Sequence, residues 1–319
     1  MSSIAIAIVS FNTRALLNEC LRSLRADADA GRAEVWVVDN ASTDGSAEMV
    51  REDFPWVSLI ASEENLGYGP AVNLVARQTD TAWIAPANSD LAFTEGALAA
   101  LLAAGEAHPE AAAIAPRLIL PDGSTQESVQ RFPSVTTSLL LASHAAALSS
   151  RVREHLYLPG AWDVDRAQNV PWATGAFLIV RREAWDEVGG FDEEQWMYAE
   201  DLDLGWRLRK AGWTTRYEPS AVVHHHESAA SKVVFGGQQG VVDKWVRANY
   251  AWMVRRQGVA RTWASAGIAA MEAGARVALL GVLARRNADR WGDRLAVARR
   301  DLRGARDGLR PRAALRQAR

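Results

Sequence analysis

Four short apolar runs in the N-terminal third of the chain each end in a cluster of small polar side chains, and this alternation constrains the fold most. The runs cover residues 4–9, 34–38, 57–61 and 82–85. The clusters that follow are Ser10-Phe11-Asn12, Asp39-Asn40-Ala41-Ser42-Thr43-Asp44-Gly45-Ser46, Asn65-Leu66-Gly67-Tyr68-Gly69-Pro70 and Asn88-Ser89-Asp90. Between the runs apolar residues recur at helical spacing, as at Leu17, Cys20, Leu21 and Leu24 behind Thr13, a helix-capping residue type. Such alternation builds βαβ units and a mostly parallel sheet. Open sheets of this kind bind ligands at the carboxyl ends of their strands. One polar cluster is an ordinary Asx-turn loop; four in succession at one sheet edge predict a binding cleft.

The rest of the chain continues the pattern with one interruption. Helices are expected at 70–78 and 95–107, and a strand at 112–115. Residues 121–169 read as a loop-rich insertion with one or two helices. A strand at 175–180, helices at 182–188 and 200–210, and strands at 214–217 and 221–224 follow; from about 238 the pattern is helical. A chain of 319 residues makes about two domains, and its single cysteine excludes a disulfide framework or a cysteine-built metal site.

The N-terminus runs straight into an apolar strand, with no basic segment before it. The apolar stretch at 267–284 is interrupted by Glu272 and Arg276, each costing about 2.5–3.5 kcal/mol at a bilayer centre, so it is not expected to span a membrane. A cytoplasmic protein, soluble or peripheral, is the expectation. The charges are uneven: residues 285–319 hold 12 arginines against 4 acids, while the rest carries 24 basic against 34 acidic residues.

Neither GxGxxG nor GxxxxGK[ST] follows the first run, which disfavours a dinucleotide fold of the usual kind and a P-loop. A nucleotide here would be held by carboxylates and amides. Its diphosphate would need Mn²⁺ or Mg²⁺, with Asp90 the natural protein ligand. Glu200-Asp201-Leu202-Asp203 opens a helix, where acids complement the helix dipole. In a partly dry pocket one of them could instead be a general base, with Trp196 and Tyr198 as the dry wall and sugar-stacking surface. Neutral imidazole suits Mn²⁺, and strand alternation separates His225 from His224 and His226, so at most two of the three can serve one site.

Taken together these pieces resemble the inverting family 2 glycosyltransferases, in their rhamnosyltransferase-like branch. Ser10-Phe11-Asn12, the Asp39–Ser46 block and Asn65-Leu66-Gly67-Tyr68-Gly69 carry the resemblance, with Thr174-Gly175-Ala176-Phe177, Val188-Gly189-Gly190-Phe191-Asp192-Glu193, Met197-Tyr198-Ala199-Glu200-Asp201-Leu202-Asp203-Leu204 and Pro219-Ser220-Ala221. Order and spacing agree over about residues 3–231.

The resemblance implies a GT-A fold, an α/β, Rossmann-like and mostly parallel mixed sheet flanked by helices. The GT-A domain would be residues 1–237, with a nucleotide-binding half to about 116 and an acceptor half from 117. Residues 238–319 would form a helical C-terminal extension. Ser10, Phe11, Asn12, Asp39, Asn40, Asn65, Gly67 and Asn88 would line the nucleotide, and Asp90 with His225 would hold the metal, His226 fitting better by its spacing to Ser231. Asp201 would be the catalytic base with Glu200 beside it, and Trp196, Tyr198 and Asp203 would meet the acceptor. The donor implied is a dTDP- or UDP-sugar, dTDP-L-rhamnose first, and the acceptor a glycan or polyprenyl-diphosphate-linked glycan of the cell surface. The chain has Asn88-Ser89-Asp90 where the family has Asn-Pro-Asp or Asp-x-Asp, and the missing proline is expected to loosen that loop.

The tail adds an apolar stripe, Trp291, Leu295, Ala298, Leu302, Ala305 and Leu309, with arginines off it. That pattern fits either peripheral binding to anionic lipid or packing on the body. Nucleic acid is not expected, since the tail lacks interleaved aromatics. Two rival readings are an inactive nucleotide-sugar-binding or scaffold relative, and a sugar-phosphate nucleotidyltransferase. The latter would need a Gly-rich basic loop where residues 10–14 stand.

Overall fold

The strand β1, Ile4–Ser10, sets the layering, because Ile4, Ile6 and Ile8 alternate with Ala5 and Ala7 and every one of these five is fully buried. Side chains alternate across a strand, so one sheet face receives three isoleucines and the other two methyls. The structure, a computed structural model, describes residues 4–143, 162–195, 198–226, 238–310 and Leu315. It divides into two units, one of Met1–Gln130 with Trp162–Val241 and one of Arg131–Ala161 with Val242–Arg319.

In the first unit β1 leads through α1, Arg14–Asp29, to β2, Ala33–Asn40, then α2, Ser46–Asp53, β3, Ser58–Ser62, α3, Tyr68–Ala76, and β4, Trp83–Asn88. A short β5, Leu91–Phe93, precedes α4, Ala97–Ala107, β6, Ala111–Ile119, and β7, Val129–Gln130. Later come β8, Gln168–Val170, β9, Trp172–Ala173, β10, Ile179–Arg181, and two helices, Arg182–Val188 and Glu200–Lys210. The last strand is β11, Thr214–His225. Sheet order is β3-β2-β1-β4-β10-β6-β11-β5, with β8 on β11 and a separate β7–β9 pair. β3, β2, β1 and β4 are mutually parallel; β10 and β5 run antiparallel to their neighbours. The isoleucine face packs under Leu17, Leu21 and Leu24 of α1 and Leu98 and Leu101 of α4. The alanine face packs against Ala71, Val72 and Val75 of α3 and Leu204 and Leu208 of the Glu200–Lys210 helix. Each fully buried isoleucine contributes roughly 1.5–3 kcal/mol.

Four expectations shift. The fourth strand runs three residues beyond 85, with Pro86 standing opposite Ala7, and so carries Asn88 to the sheet edge. The strands expected at 214–217 and 221–224 are one, its register shifting between Glu218 and Val222 around Pro219. The helix expected at 70–78 starts at Tyr68 because Gly67, at φ +86°, supplies its entry turn. The strand expected at 175–180 begins only at Ile179, since the preceding backbone bonds elsewhere: Gly175 N–H to Asp201, and Ala176 C=O from Asn88 N–H.

The second unit is helical: α5, Val135–Ala142, and three long helices, Gln238–Gln257, Val259–Arg286 and Ala288–Gly308. The last two form an antiparallel hairpin. Arg276 meets Glu272 at 2.6 Å and Asp301 at 2.8 Å, and the Gly308 backbone lies against Ala266 and Tyr250. The predicted stripe is mostly spent inside this unit: Leu295, Ala298 and Ala305 are buried, and Leu309 is exposed. Val259–Arg286, a helix of 28 residues that holds an 18-residue window of mean hydropathy 1.5, is by length and composition alone able to cross a membrane, and little of that window is buried.

Candidate active site

Parallel register brings the predicted clusters together. Ser10 pairs with Asp39 and Val9 with Asn88, so the ends of β1, β2 and β4 lie side by side. The first two loops are stitched by side chains. Asn12, at φ +52°, accepts the Thr43 N–H at 2.8 Å and donates its own N–H to Ser42 Oγ at 2.9 Å. Asp39 Oδ2 accepts the Ser42 N–H at 3.0 Å, and its Oδ1 is buried without a hydrogen-bond partner. Asn40 donates to the Gly67 carbonyl at 3.1 Å, leaving a buried, unpartnered Oδ1; Asn65 Oδ1 accepts the Gly67 N–H at 3.0 Å. A buried acceptor left open costs about 1–3 kcal/mol. Two such oxygens at one strand end are the mark of a pocket shaped for a donor-bearing ligand. Phe11 is half-buried beside them.

Asp90 is buried in the turn between β4 and β5, and β5 pairs with β11 so that Leu91 stands opposite His225. His225 Nε2 consequently lies 3.2 Å from Asp90 Oδ1. His225 is the buried one of the three, while His224 and His226 are exposed. Ser231 lies outside the described residues. Gln126 Oε1 sits 2.7 Å from His225 Nδ1, and Asn88 Nδ2 lies 3.3 Å from Nε2. Asp90 Oδ1 and His225 Nε2 thus stand side by side as a carboxylate oxygen and an imidazole nitrogen. That donor set fits a hard divalent ion whose remaining ligands come from substrate oxygens and water. Among the described residues no group of three His, Cys, Asp or Glu side chains is placed to hold one alone.

Ser89, where the family has proline, is held by side-chain hydrogen bonds. Ser89 Oγ is 2.7 Å from Thr13 Oγ1, which is 3.1 Å from Ser10 Oγ, and all three residues are buried. This hydroxyl chain ties the Asp90 turn to the start of α1.

The second half of the site is the start of the Glu200–Lys210 helix. Tyr198 and Ala199 both have positive φ, +63° and +70°, a conformation that costs a non-glycine residue energy and aims Glu200 and Asp201. Asp201 Oδ2 accepts the Gly175 N–H at 2.8 Å and Oδ1 the Leu202 N–H at 2.7 Å. A Cβ on Gly175 would stand 3.0 Å from that of Asp201, so only glycine fits easily. Burial raises the Asp201 carboxyl against those two hydrogen bonds. Glu200 is pushed well above the carboxylate range, first by burial and then by the Asp201 charge, and its Oε2 is buried without a partner. The buried Tyr68 hydroxyl is raised by burial and then by Glu200, Asp201 and Asp90, so all three acids lie within electrostatic reach of it.

One expected acceptor contact is corrected. Asp203 is wholly buried and paired with Arg207 Nε at 2.7 Å; Arg207 also donates to the Val188 and Gly190 carbonyls at 2.6 Å. Asp203 therefore anchors the end of the Arg182–Val188 helix and does not face the pocket. Trp196 lies outside the described residues. Sequence reasoning missed Gln126, which stands in the irregular 121–169 stretch with no motif around it. It also left Tyr68 and Ser89 without roles, although both lie in clusters it singled out.

The sequence profile of glycosyl transferase family 2 matches residues 5–189, and that of glycosyl transferase family group 2 matches residues 99–285. The chain belongs to the family 2 glycosyltransferases. An N-acetylglucosaminyl-diphospho-decaprenol L-rhamnosyltransferase of Mycobacterium tuberculosis is 37% identical over 213 residues, 61% of this chain and 66% of that relative. A pre-mycofactocin glycosyltransferase of the same organism is 34% identical over 209 residues, 61% of this chain and 40% of the relative. The chain thus spans just under two thirds of the first relative's length and less of the second. Among solved structures, a Pyrobaculum calidifontis mannosyltransferase in complex with GDP-Man and Mn²⁺ superposes with a TM-score of 0.57 at 19% identity, over 99% of this chain and 86% of that one. At that identity the likeness is one of fold, and the fold is GT-A.

Proposed function

We propose that the chain is an inverting glycosyltransferase that moves a sugar, L-rhamnose from dTDP-L-rhamnose in the first instance, onto a hydroxyl of a polyprenyl-diphosphate-linked glycan used in cell-surface polysaccharide synthesis. The observation that carries this reading is the buried Glu200–Asp201 pair, Asp201 held by Gly175 and through it by Tyr68, with Asp90 in electrostatic reach of the same Tyr68 hydroxyl and the open acceptors of Asp39 and Asn40 at the end of β2. The rhamnosyltransferase relative, whose name specifies a lipid-linked GlcNAc acceptor, supports the choice of donor and acceptor.

In this reading Asp39 Oδ1 and Asn40 Oδ1 accept hydrogen bonds from the nucleoside, with Ser10, Phe11, Asn12, Asn65, Gly67 and Asn88 lining it. Asp201 takes the proton of the acceptor hydroxyl through a lone pair its backbone donors leave free, while Glu200 and Tyr198 hold the acceptor. As that proton leaves, the acceptor oxygen bonds to sugar C1 on the face opposite the leaving group. The C1–O bond breaks, and its electron pair departs with the nucleoside diphosphate. Asp90 and His225 would hold Mn²⁺ or Mg²⁺, whose charge stabilises the diphosphate; the Mn²⁺ of the solved mannosyltransferase supports that choice. The protein would work at the cytoplasmic face of a membrane, bound peripherally through its basic tail.

The test is a thermal-shift screen of nucleoside diphosphates with and without Mn²⁺, followed by transfer assays. A ligand at 100 times its Kd stabilises by about 2.7 kcal/mol. A metal-dependent shift with dTDP and inverted rhamnosyl transfer are expected. No shift with any nucleotide would leave an inactive relative as the correct description.

A further inference from the structure

The helix Val259–Arg286 presents an outer face whose composition is the reverse of an ordinary exposed helix. Trp263, Met271, Leu279 and Val282 are 51%, 71%, 62% and 53% exposed. From Thr262 to Ala284 no charged side chain is exposed, since Glu272 and Arg276 are half-buried and paired with each other at 2.6 Å. Trp263 to Val282 is about 29 Å of helix at ~1.5 Å per residue. Arginines bracket the stretch: Arg261 before it, Arg285 and Arg286 after. Across Val259–Arg310 the exposed charges are nine arginines against two acids, Asp289 and Asp293, because Asp301 is paired with Arg276 and Asp307 with Arg247.

We infer that this hairpin lies in the plane of an anionic bilayer surface, the apolar face of Val259–Arg286 seated at the headgroup–acyl boundary and the arginines meeting lipid phosphates. The inference deepens the proposed use of a lipid-linked acceptor and rests on that reading for its purpose. It moves the contact from the predicted tail stripe, which is packed inside the unit, to the neighbouring helix. Charge complementarity selects the occupant. A second copy would bring nine further arginines against these, whereas an anionic surface gains about 1 kcal/mol per basic residue near it.

Spanning is excluded by the partner helix. Ala288–Gly308 packs antiparallel along the apolar helix, through Arg276–Asp301 and the contact of Gly308 with Ala266. It carries exposed Arg290, Arg294, Arg299, Arg303 and Arg306 along its length. Inserting the pair across a bilayer would draw several of these into hydrocarbon at about 2.5–3.5 kcal/mol each. Lying flat satisfies both faces.

The experiment is co-sedimentation of the full chain with phosphatidylglycerol-containing vesicles and with phosphatidylcholine vesicles. Binding to the first only, reduced by salt and reversed by alkaline carbonate, is expected. The exposed double variant Met271→Glu/Leu279→Glu should bind roughly tenfold more weakly, with an unchanged thermal unfolding curve. Arg290→Ala/Arg294→Ala, tested in parallel, should flatten the salt dependence. Equal binding by the Met271/Leu279 variant, no binding of the parent to either vesicle, or retention through carbonate would each overturn the inference. So would a dimer in light scattering that the same variant dissociates. Nucleoside-diphosphate affinity, measured on the same samples, separates the two readings: its absence removes the transferase and leaves vesicle binding to be judged alone.

Discussion

Tyr68 donates its phenolic hydrogen to the Gly175 carbonyl across 2.6 Å, and Gly175 in turn donates its N–H to Asp201. One glycine, through the two peptide units that flank its Cα, thus transmits the position of the α3 start to a carboxylate over a hundred residues away in the chain. Tyr68→Phe leaves the ring packed and the carbonyl unpaired, costing about 1–3 kcal/mol of stability. Its kinetic effect should fall on kcat, with donor KM nearly unchanged, because Tyr68 holds the base and does not line the nucleotide. Steady-state kinetics and thermal unfolding check both halves; a loss confined to KM would place Tyr68 in donor binding.

Asp201→Asn should lower transfer by about 10²–10⁴-fold, the usual worth of a general base, while nucleoside-diphosphate binding by calorimetry stays within a few-fold. Glu200→Gln should cost less, since it removes a charge but keeps a polar group on the buried side. The opposite ranking would assign the base to Glu200, whose open Oε2 makes it the competing carboxylate.

Gln126→Ala removes the side-chain oxygen that lies 2.7 Å from His225 Nδ1 and orients the ring. Partners of this kind typically account for 10–100-fold in metal affinity. A Mn²⁺ titration in the presence of dTDP should show a loss in that range for Gln126→Ala and a larger one for His225→Ala. Equal affinity in the Gln126 variant would mean that its contact does not orient the ring for metal.

The parallel half of the sheet was legible because alternation within 4–9 and the polar cluster after each run are local signals. The register that sets Ser10 beside Asp39 follows from them once the strands are parallel. The Asp90–His225 contact was legible only through the family resemblance and not from any local pattern. It depends on Leu91–Phe93, three residues too few to show a period, pairing with a strand that lies past an apparent break at Pro219. Gln126 and the serine–threonine chain behind Asp90 have no motif either, since their roles exist only through contacts between distant segments. Asp203 misled because helix periodicity places it within the acidic first turn, and nothing local shows that Arg207, one turn on, claims it.

The Asp203–Arg207 pair separates an anchoring role from an acceptor role. Arg207→Met would strand a fully buried carboxylate, costing about 3–5 kcal/mol, whereas replacing Asp203 and Arg207 together by Asn and Met should recover part of that. Specific activity of the folded double variant, and its acceptor KM, should stay near the parent value. A selective rise in acceptor KM would return Asp203 to the acceptor site.

The two raised carboxyls tie activity and stability to the same pH window with opposite signs. Glu200 is raised by burial and then by Asp201, and Asp201 by burial against its backbone donors. Between the ordinary carboxylate range and these raised values the folded chain binds more protons than the unfolded one, so stability falls as pH rises through the window. The base accepts a proton only once ionised, so kcat/KM should climb over that same interval. Glu200→Gln removes the more strongly raised carboxyl, which is still protonated as Asp201 ionises, so it should leave the acid limb of the kcat/KM profile in place and raise Tm above the window relative to the parent. Paired pH–rate and pH–Tm profiles check this. An acid limb that moves to lower pH would show that Glu200 is already charged when Asp201 ionises and shares in setting the protonation state of the base.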